Sequence, residues 1–255
     1  MFIPNRGRDH IICPPLHPEH TKGNGSLGLT GWDTDMKIQT PYHLPDWGLS
    51  VKKHKAREDT IIKVYRHITG NSSLPPNTQH ISMAGQTINE DGTPRLHSEY
   101  YHLLGAGFLK SYQFIGIEKN PDWHILNSTI KDGSLWLHGD FYTTLAGLTN
   151  RPDFKPAIIN VDNILFPATG ASNYLAMVLA LLTELDIRDV LVVGNMMLSG
   201  YCHHHPYTDI PRTLFENRLF LGIKDKWHLH DVIYLYDGAN DDTKATKMGT
   251  TLLWR

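Results

Sequence analysis

Apolar residues recur along this chain in two rhythms, and the alternation of those rhythms predicts its fold. From 50 to 68, Val51, Ile61, Ile62, Val64, Tyr65 and Ile68 share a helical stripe opposite Lys52, Lys53, Lys55 and Arg57. Ser50 is the expected N-cap, and Gly70 with Pro75-Pro76 the stop. Short apolar runs then alternate with helical ones. Strands are expected at 79–83 (QHISM), 113–117 (QFIGI), 134–138 (SLWLH), 157–161 (AIINV) and 190–193 (VLVV). Helices are expected at 98–110 with Ser98 as cap, 122–131, 141–148, 172–185 and 211–221. Strand–helix pairs in unbroken succession argue for a parallel sheet with helices on both faces. The almost wholly apolar runs at 157–161 and 190–193 fit strands covered on both sides. The ending differs. Strands at 230–236 and 249–254 are separated only by a polar stretch, so they should form an antiparallel hairpin.

Residues 1–50 lack this periodicity. Pro and Gly recur there, while Trp32, Tyr42 and Trp47 suit a packed arm better than a disordered tail. The expected organisation is an N-terminal arm with an accessory helix over 1–76, then an α/β domain over 77–255.

Composition narrows the classes. The chain has 255 residues, 40% hydrophobic and 20% charged, with a formal charge of −2. That is an ordinary globular balance, and it gives no chain-wide pull toward nucleic acid. Two cysteines make no disulfide framework, so a reducing, cytoplasmic setting is expected. No apolar run reaches the ~18 residues that span a membrane, and the first ten residues lack the apolar segment of a secretory leader.

The candidate chemistry lies at strand ends, where open α/β sheets bind ligands. Glu118 follows QFIGI, Asp140 follows SLWLHG, and Asp162 follows AIINV. A carboxylate such as Glu118 can accept from both hydroxyls of a ribose. Asp140 also suits an N-cap for the helix that begins at Phe141.

Alternating β/α units closed by an antiparallel strand pair make residues 77–255 similar to the class I S-adenosylmethionine-dependent methyltransferase fold. This is a Rossmann-like, doubly wound, mostly parallel seven-stranded sheet whose sixth and seventh strands form a hairpin, the seventh inserting into the sheet. The resemblance implies S-adenosylmethionine as cofactor. It places Ser82, Gly85 and Gln86 at the methionine part, Glu118 and Lys119 at the ribose, and Asp140 and Phe141 at the adenine. Asp162 would lie closest to the reaction, as cofactor ligand and catalytic residue. Asn163, His203 and His204 would face the acceptor.

The sequence departs from that pattern in two places. The loop after the first strand, Ser82-Met83-Ala84-Gly85-Gln86-Thr87, has one glycine where the family has several. Gly105-Ala106-Gly107 lies inside a helical pattern, too close to the second strand to be that loop. With Gly85 as the loop glycine, Glu118 comes well beyond the ~20 residues of the related dinucleotide fingerprint. The excess, 88–97, reads as an inserted loop, either a lid or plain surface. After the fourth strand, Asp162-Asn163-Ile164-Leu165-Phe166-Pro167 matches neither the base-amino signature nor a Pro-Cys nucleophile.

Other constellations are weaker. Cys202-His203-His204-His205 are chain neighbours, which rarely converge on one ion, so no metal is expected. No Walker lysine and no Gly-x-Ser-x-Gly elbow is present. The basic run Lys52-Lys53-His54-Lys55-Ala56-Arg57 suits either phosphate contact or a solvated helix face. The acceptor is therefore left open between nucleic acid and a small molecule. Two rivals remain: a non-catalytic scaffold of the same fold that binds a partner, and a nucleotide- or dinucleotide-binding oxidoreductase. The oxidoreductase would require a parallel sixth strand.

Overall fold

The structure, a computed structural model, describes the backbone of residues 51–162, 171–198, 217–238 and 246–255, and side chains over 59–162, 174–195, 217–229 and 251–255. The arm at 1–50, Asn163, and the segment with Cys202, His203, His204 and His205 lie outside the described residues.

The helical stripe forms α1, Val51–Thr69. Strands follow at β1 Gln79–Met83, β2 Phe114–Glu118, β3 Leu135–His138, β4 Pro156–Asp162 and β5 Leu191–Leu198. Between them lie α2 Glu99–Gly105, α3 Pro121–Asn127, α4 Phe141–Leu148 and α5 Ala171–Glu184. A short α6, Arg218–Leu221, precedes β6 His228–Gly238 and β7 Thr246–Trp254. The rest of the helix expected over 211–221 falls outside the described residues.

One seven-stranded sheet carries the order β3-β2-β1-β4-β5-β7-β6. β1 to β5 are mutually parallel. β7 runs antiparallel between β5 and β6, as the hairpin pattern required. The parallel sixth strand of a dinucleotide-binding oxidoreductase is thereby replaced.

Among the described residues, strands contribute alternate residues to two apolar layers. On one face, Ile81, Ile117, Ile159 and Val192 meet Leu145 of α4 and Leu175, Leu179 and Leu182 of α5. On the other, Phe114, Ile158, Leu191 and Val193 meet Ile61 and Tyr65 of α1 and Tyr100 and Leu103 of α2. The Tyr65 ring meets Phe108 edge-on at 5.6 Å.

Several element ends differ from the sequence reading. α2 stops at Gly105, short of Lys110. Gly107 adopts φ +65°, and the N–H groups of Gly107 and Phe108 close back on Leu104 and Leu103 carbonyls. The apolar period that suggested a longer helix is thus carried on by Phe108 and Leu109 beyond a glycine stop. Ser98 makes no side-chain cap bond. α3 begins at Pro121 under an Asn120 cap and ends at Asn127, not Lys131. β5 runs five residues past Val193 because β7 pairs with it as far as Leu198.

Candidate functional site

The carboxyl ends of β1 to β5 share one edge of the sheet, and the sequence-predicted residues with described placement gather there. Glu118 closes β2 opposite His138 of β3 in register. Its side chain is 9% exposed. The Asn120 N–H donates to its Oε1 at 2.6 Å, and the backbone of Lys119 and Gly85 lies close enough to favour the charged carboxylate. Burial pushes this carboxyl above its ordinary range. The backbone of Asn120, Lys119 and Gly85 and the nearby His138 pull the other way without cancelling the rise.

The loop after β1 is built by side chains more than by glycines. Gly85 takes φ +60°, and a Cβ there would meet open space. Asn127 of α3, fully buried, donates from Nδ2 to the Gly85 carbonyl at 2.7 Å and accepts from the Thr87 N–H at 2.8 Å. Gln86 donates to the Ile88 carbonyl and accepts from Arg95. The stretch read as an inserted loop folds back on itself, with Ile88 bridging Pro94 and both Thr87 and Ile88 buried. It is anchored at the β1 end through Gln86 and Arg95.

Asp140 caps α4, accepting from the Thr143 N–H at 3.0 Å. That bond, helped by the Thr143 and Tyr174 hydroxyls and by Lys119, holds its carboxyl below the usual range. Its exposed position leaves it accessible from solvent. Phe141 behaves differently from the sequence expectation. Its ring is 3% exposed and belongs to the core with Leu145 and Leu148, so it offers no free face to a base. Lys119 is exposed, and its carbonyl accepts from the His138 ring at 3.1 Å. His138 stacks on His124 of α3 at 5.3 Å.

Ser82 also departs from its expected role. It is fully buried and donates to Glu99 at 2.5 Å, pointing into the protein on the α2 side. Asp162 is half-buried at the end of β4, in register with Asn195 of β5. Around Ser82 lies a polar cluster that sequence reasoning missed: Glu99, His80, Asn160 and Asn195. Its one visible signal was a pair of polar residues, His80 and Ser82, at strand period inside an otherwise apolar run.

This strand order, with the seventh strand antiparallel between the fifth and sixth, is the class I methyltransferase fold. Among solved structures, the chain is similar to Trm5b from Pyrococcus abyssi, at 10% identity and TM-score 0.43, over 80% of this chain but only 49% of that one. It is also similar to protein LPL1258 from Legionella pneumophila, at 12% identity and TM-score 0.49, over 79% of this chain and 83% of that one. A TehB-like SAM-dependent methyltransferase from Corynebacterium glutamicum matches at 10% identity and TM-score 0.35, over 79% of this chain and 99% of that one. No protein-family model matches the sequence, and no curated protein does. Among the described residues, no helix is long and apolar enough to cross a membrane.

Proposed function

We propose that the chain binds S-adenosylmethionine at the carboxyl edge of β1 to β4 and transfers its methyl group to an acceptor. The observation that carries this reading is the juxtaposition of Glu118 and Asp140 on neighbouring strand ends, beside a Gly85 turn with open space over it. A carboxylate has about four acceptor sites. The Asn120 N–H takes one of these sites on Glu118, which leaves others for the ribose hydroxyls. Asp140 accepts from the adenine amino group. Phe141 contributes through its backbone, since its ring is in the core.

When bound, S-adenosylmethionine supplies an electrophilic methyl on a sulfonium. The chain's own part is to hold and orient. In-line displacement gains most from fixed geometry, and a base is needed only where a proton must leave. Asp162, half-buried at the end of β4, is the group in position to hold the cofactor's ammonium or to orient the nucleophile. Asn163, His203 and His204 follow β4 and β5 in sequence and are proposed on the acceptor side. For the acceptor, nucleic acid and small molecule both suit the reading. Lys63 and Arg66 of α1 are exposed along a groove of about 360 Å³ between α1 and α2, which Asp59 also lines.

Titration calorimetry tests this reading. Wild-type chain should bind S-adenosylmethionine, and Glu118→Ala should weaken binding by about 1.5–3 kcal/mol, the scale of hydrogen bonds to a charged group. Folded wild-type protein giving no heat at millimolar ligand would favour the non-catalytic scaffold. An unchanged dissociation constant in Glu118→Ala would remove Glu118 from the site.

A further inference from the structure

The amino-acid part of the proposed cofactor carries two charges, an ammonium and a carboxylate. In the proposed reading Asp162 is available to the first, and no residue answers the second. The loop between β1 and α2 holds a group of the right sign. Arg95 is half-buried in the stretch 88–97. Its N–H donates to the Thr87 carbonyl at 2.9 Å, and its own carbonyl accepts from the Ser98 N–H at 2.8 Å. Its Nη1 donates to the Gln86 side-chain Oε1 at 3.0 Å and to the Gln86 carbonyl at 3.4 Å. The guanidinium is therefore fixed on the residue that follows Gly85, the turn with open space over it.

What this guanidinium lacks is an anion. A guanidinium carries five N–H donors and stays charged in proteins. Gln86 takes up Nη1 alone. Among the described residues, Nε and Nη2 donate to nothing and no carboxylate pairs with Arg95. Burial pulls the group below the ordinary arginine range, with no acid beside it to offset the shift. Arg255 is the other described arginine withdrawn from solvent, and Asp186 pairs with it at 2.7 Å. A partly desolvated charge without a counter-ion costs stability. Nε and Nη2 form the edge of the fork that grips a carboxylate through two parallel N–H donors. Arg151 uses those same two nitrogens on Asp153, at 3.0 and 2.9 Å.

Resting on the cofactor reading, we propose that Arg95 is a further binding residue of this site, holding the carboxylate of the cofactor's amino-acid part through Nε and Nη2. Gln86 is then a positioning residue, which acts by orienting the guanidinium through Nη1. The stretch 88–97 gains a purpose beyond plain surface, since it is what brings a cation to the β1 loop. Ligands that carry the carboxylate are told apart at this loop from those that lack it.

Calorimetric titration of the full chain with S-adenosylhomocysteine and with its decarboxylated analogue tests this. The analogue keeps the adenosine, the thioether and the amine and lacks the carboxylate, so contacts to the shared parts cancel in the affinity ratio. In Arg95→Gln the affinity for S-adenosylhomocysteine should fall by about tenfold or more, while that for the analogue changes by no more than about twofold. Arg95→Lys keeps the charge without the fork and should recover part of the ratio. Should Arg95→Gln not fold, Arg95→Met keeps the apolar stem, and the same loss of discrimination is expected. Equal weakening of both ligands in the neutral variants, as from a loop that Arg95 merely braces, would overturn the proposal and leave the cofactor reading standing. An unchanged affinity for both would do the same. A folded wild type that binds neither ligand would instead defeat the cofactor reading, and this proposal with it.

Discussion

Glu118 shows how much one side chain's surroundings decide. As a residue type at a strand end it was legible from the sequence, because an acid after an apolar run is conspicuous. Its burial was not, because that depends on the β1 loop and on His138 arriving from elsewhere in the chain. The consequence is a pH dependence with two opposite signs. Burial raises the folded-state carboxyl above the unfolded value of about 4.3. Its contribution to folding is then fully present below the unfolded value and is lost as pH rises through the raised folded one. Ribose binding needs the ionised acceptor, so cofactor affinity should instead be gained over that same rise. Thermal melts of wild type and Glu118→Gln across that range should show the wild type's relative stability greatest at the acid end. A difference that grows toward neutral pH would contradict the burial argument. Phe141 and Ser82 teach the converse lesson. Both stand beside the site in sequence, yet local pattern could not tell that the Phe141 ring joins the α4 core or that Ser82 points toward α2.

Among the elements, the loop between β1 and α2 is the most informative. Its single glycine looked like a defect, because the fold's usual loop relies on several glycines for close backbone approach. In the structure Asn127 fixes the Gly85 carbonyl and the Thr87 N–H from α3. Conformational freedom is replaced by side-chain anchoring. That substitution is invisible in the sequence, since Asn127 lies far along the chain and reads as one more helical residue. Asn127→Ala should leave two backbone groups unsatisfied, at about 1–3 kcal/mol of stability for each that stays buried. Cofactor affinity should fall as well, by about tenfold or more, because the loop is no longer held in one shape. Urea melts and calorimetry on the same variant check both. A variant that loses stability with full affinity would place Asn127 in the scaffold alone. The helix ends were harder to read for a related reason. Apolar period continues past Gly105 through Phe108 and Leu109, and only the left-handed Gly107 marks where the helix stops.

At the scale of the whole molecule, the order of elements was the most legible feature. Strand–helix alternation followed by two strands without a helix leaves few ways to arrange a sheet, and right-handed crossovers with a closing hairpin reduce them further. The sheet β3-β2-β1-β4-β5-β7-β6 follows that logic, with β7 drawn in beside β5. Chemistry was less legible than topology because the fold brings its groups together from distant positions, as with Glu118, Gly85 and Asn127. In the proposed function, the ends of β2 and β3 hold an adenosine. A crystal structure of the full chain soaked with S-adenosylhomocysteine tests it most directly. Ribose hydroxyls are expected within hydrogen-bonding distance of Glu118, and the adenine amino group at Asp140. A nucleoside bound elsewhere, with the Glu118 carboxylate still held by the Asn120 N–H and touching no ribose, would contradict it.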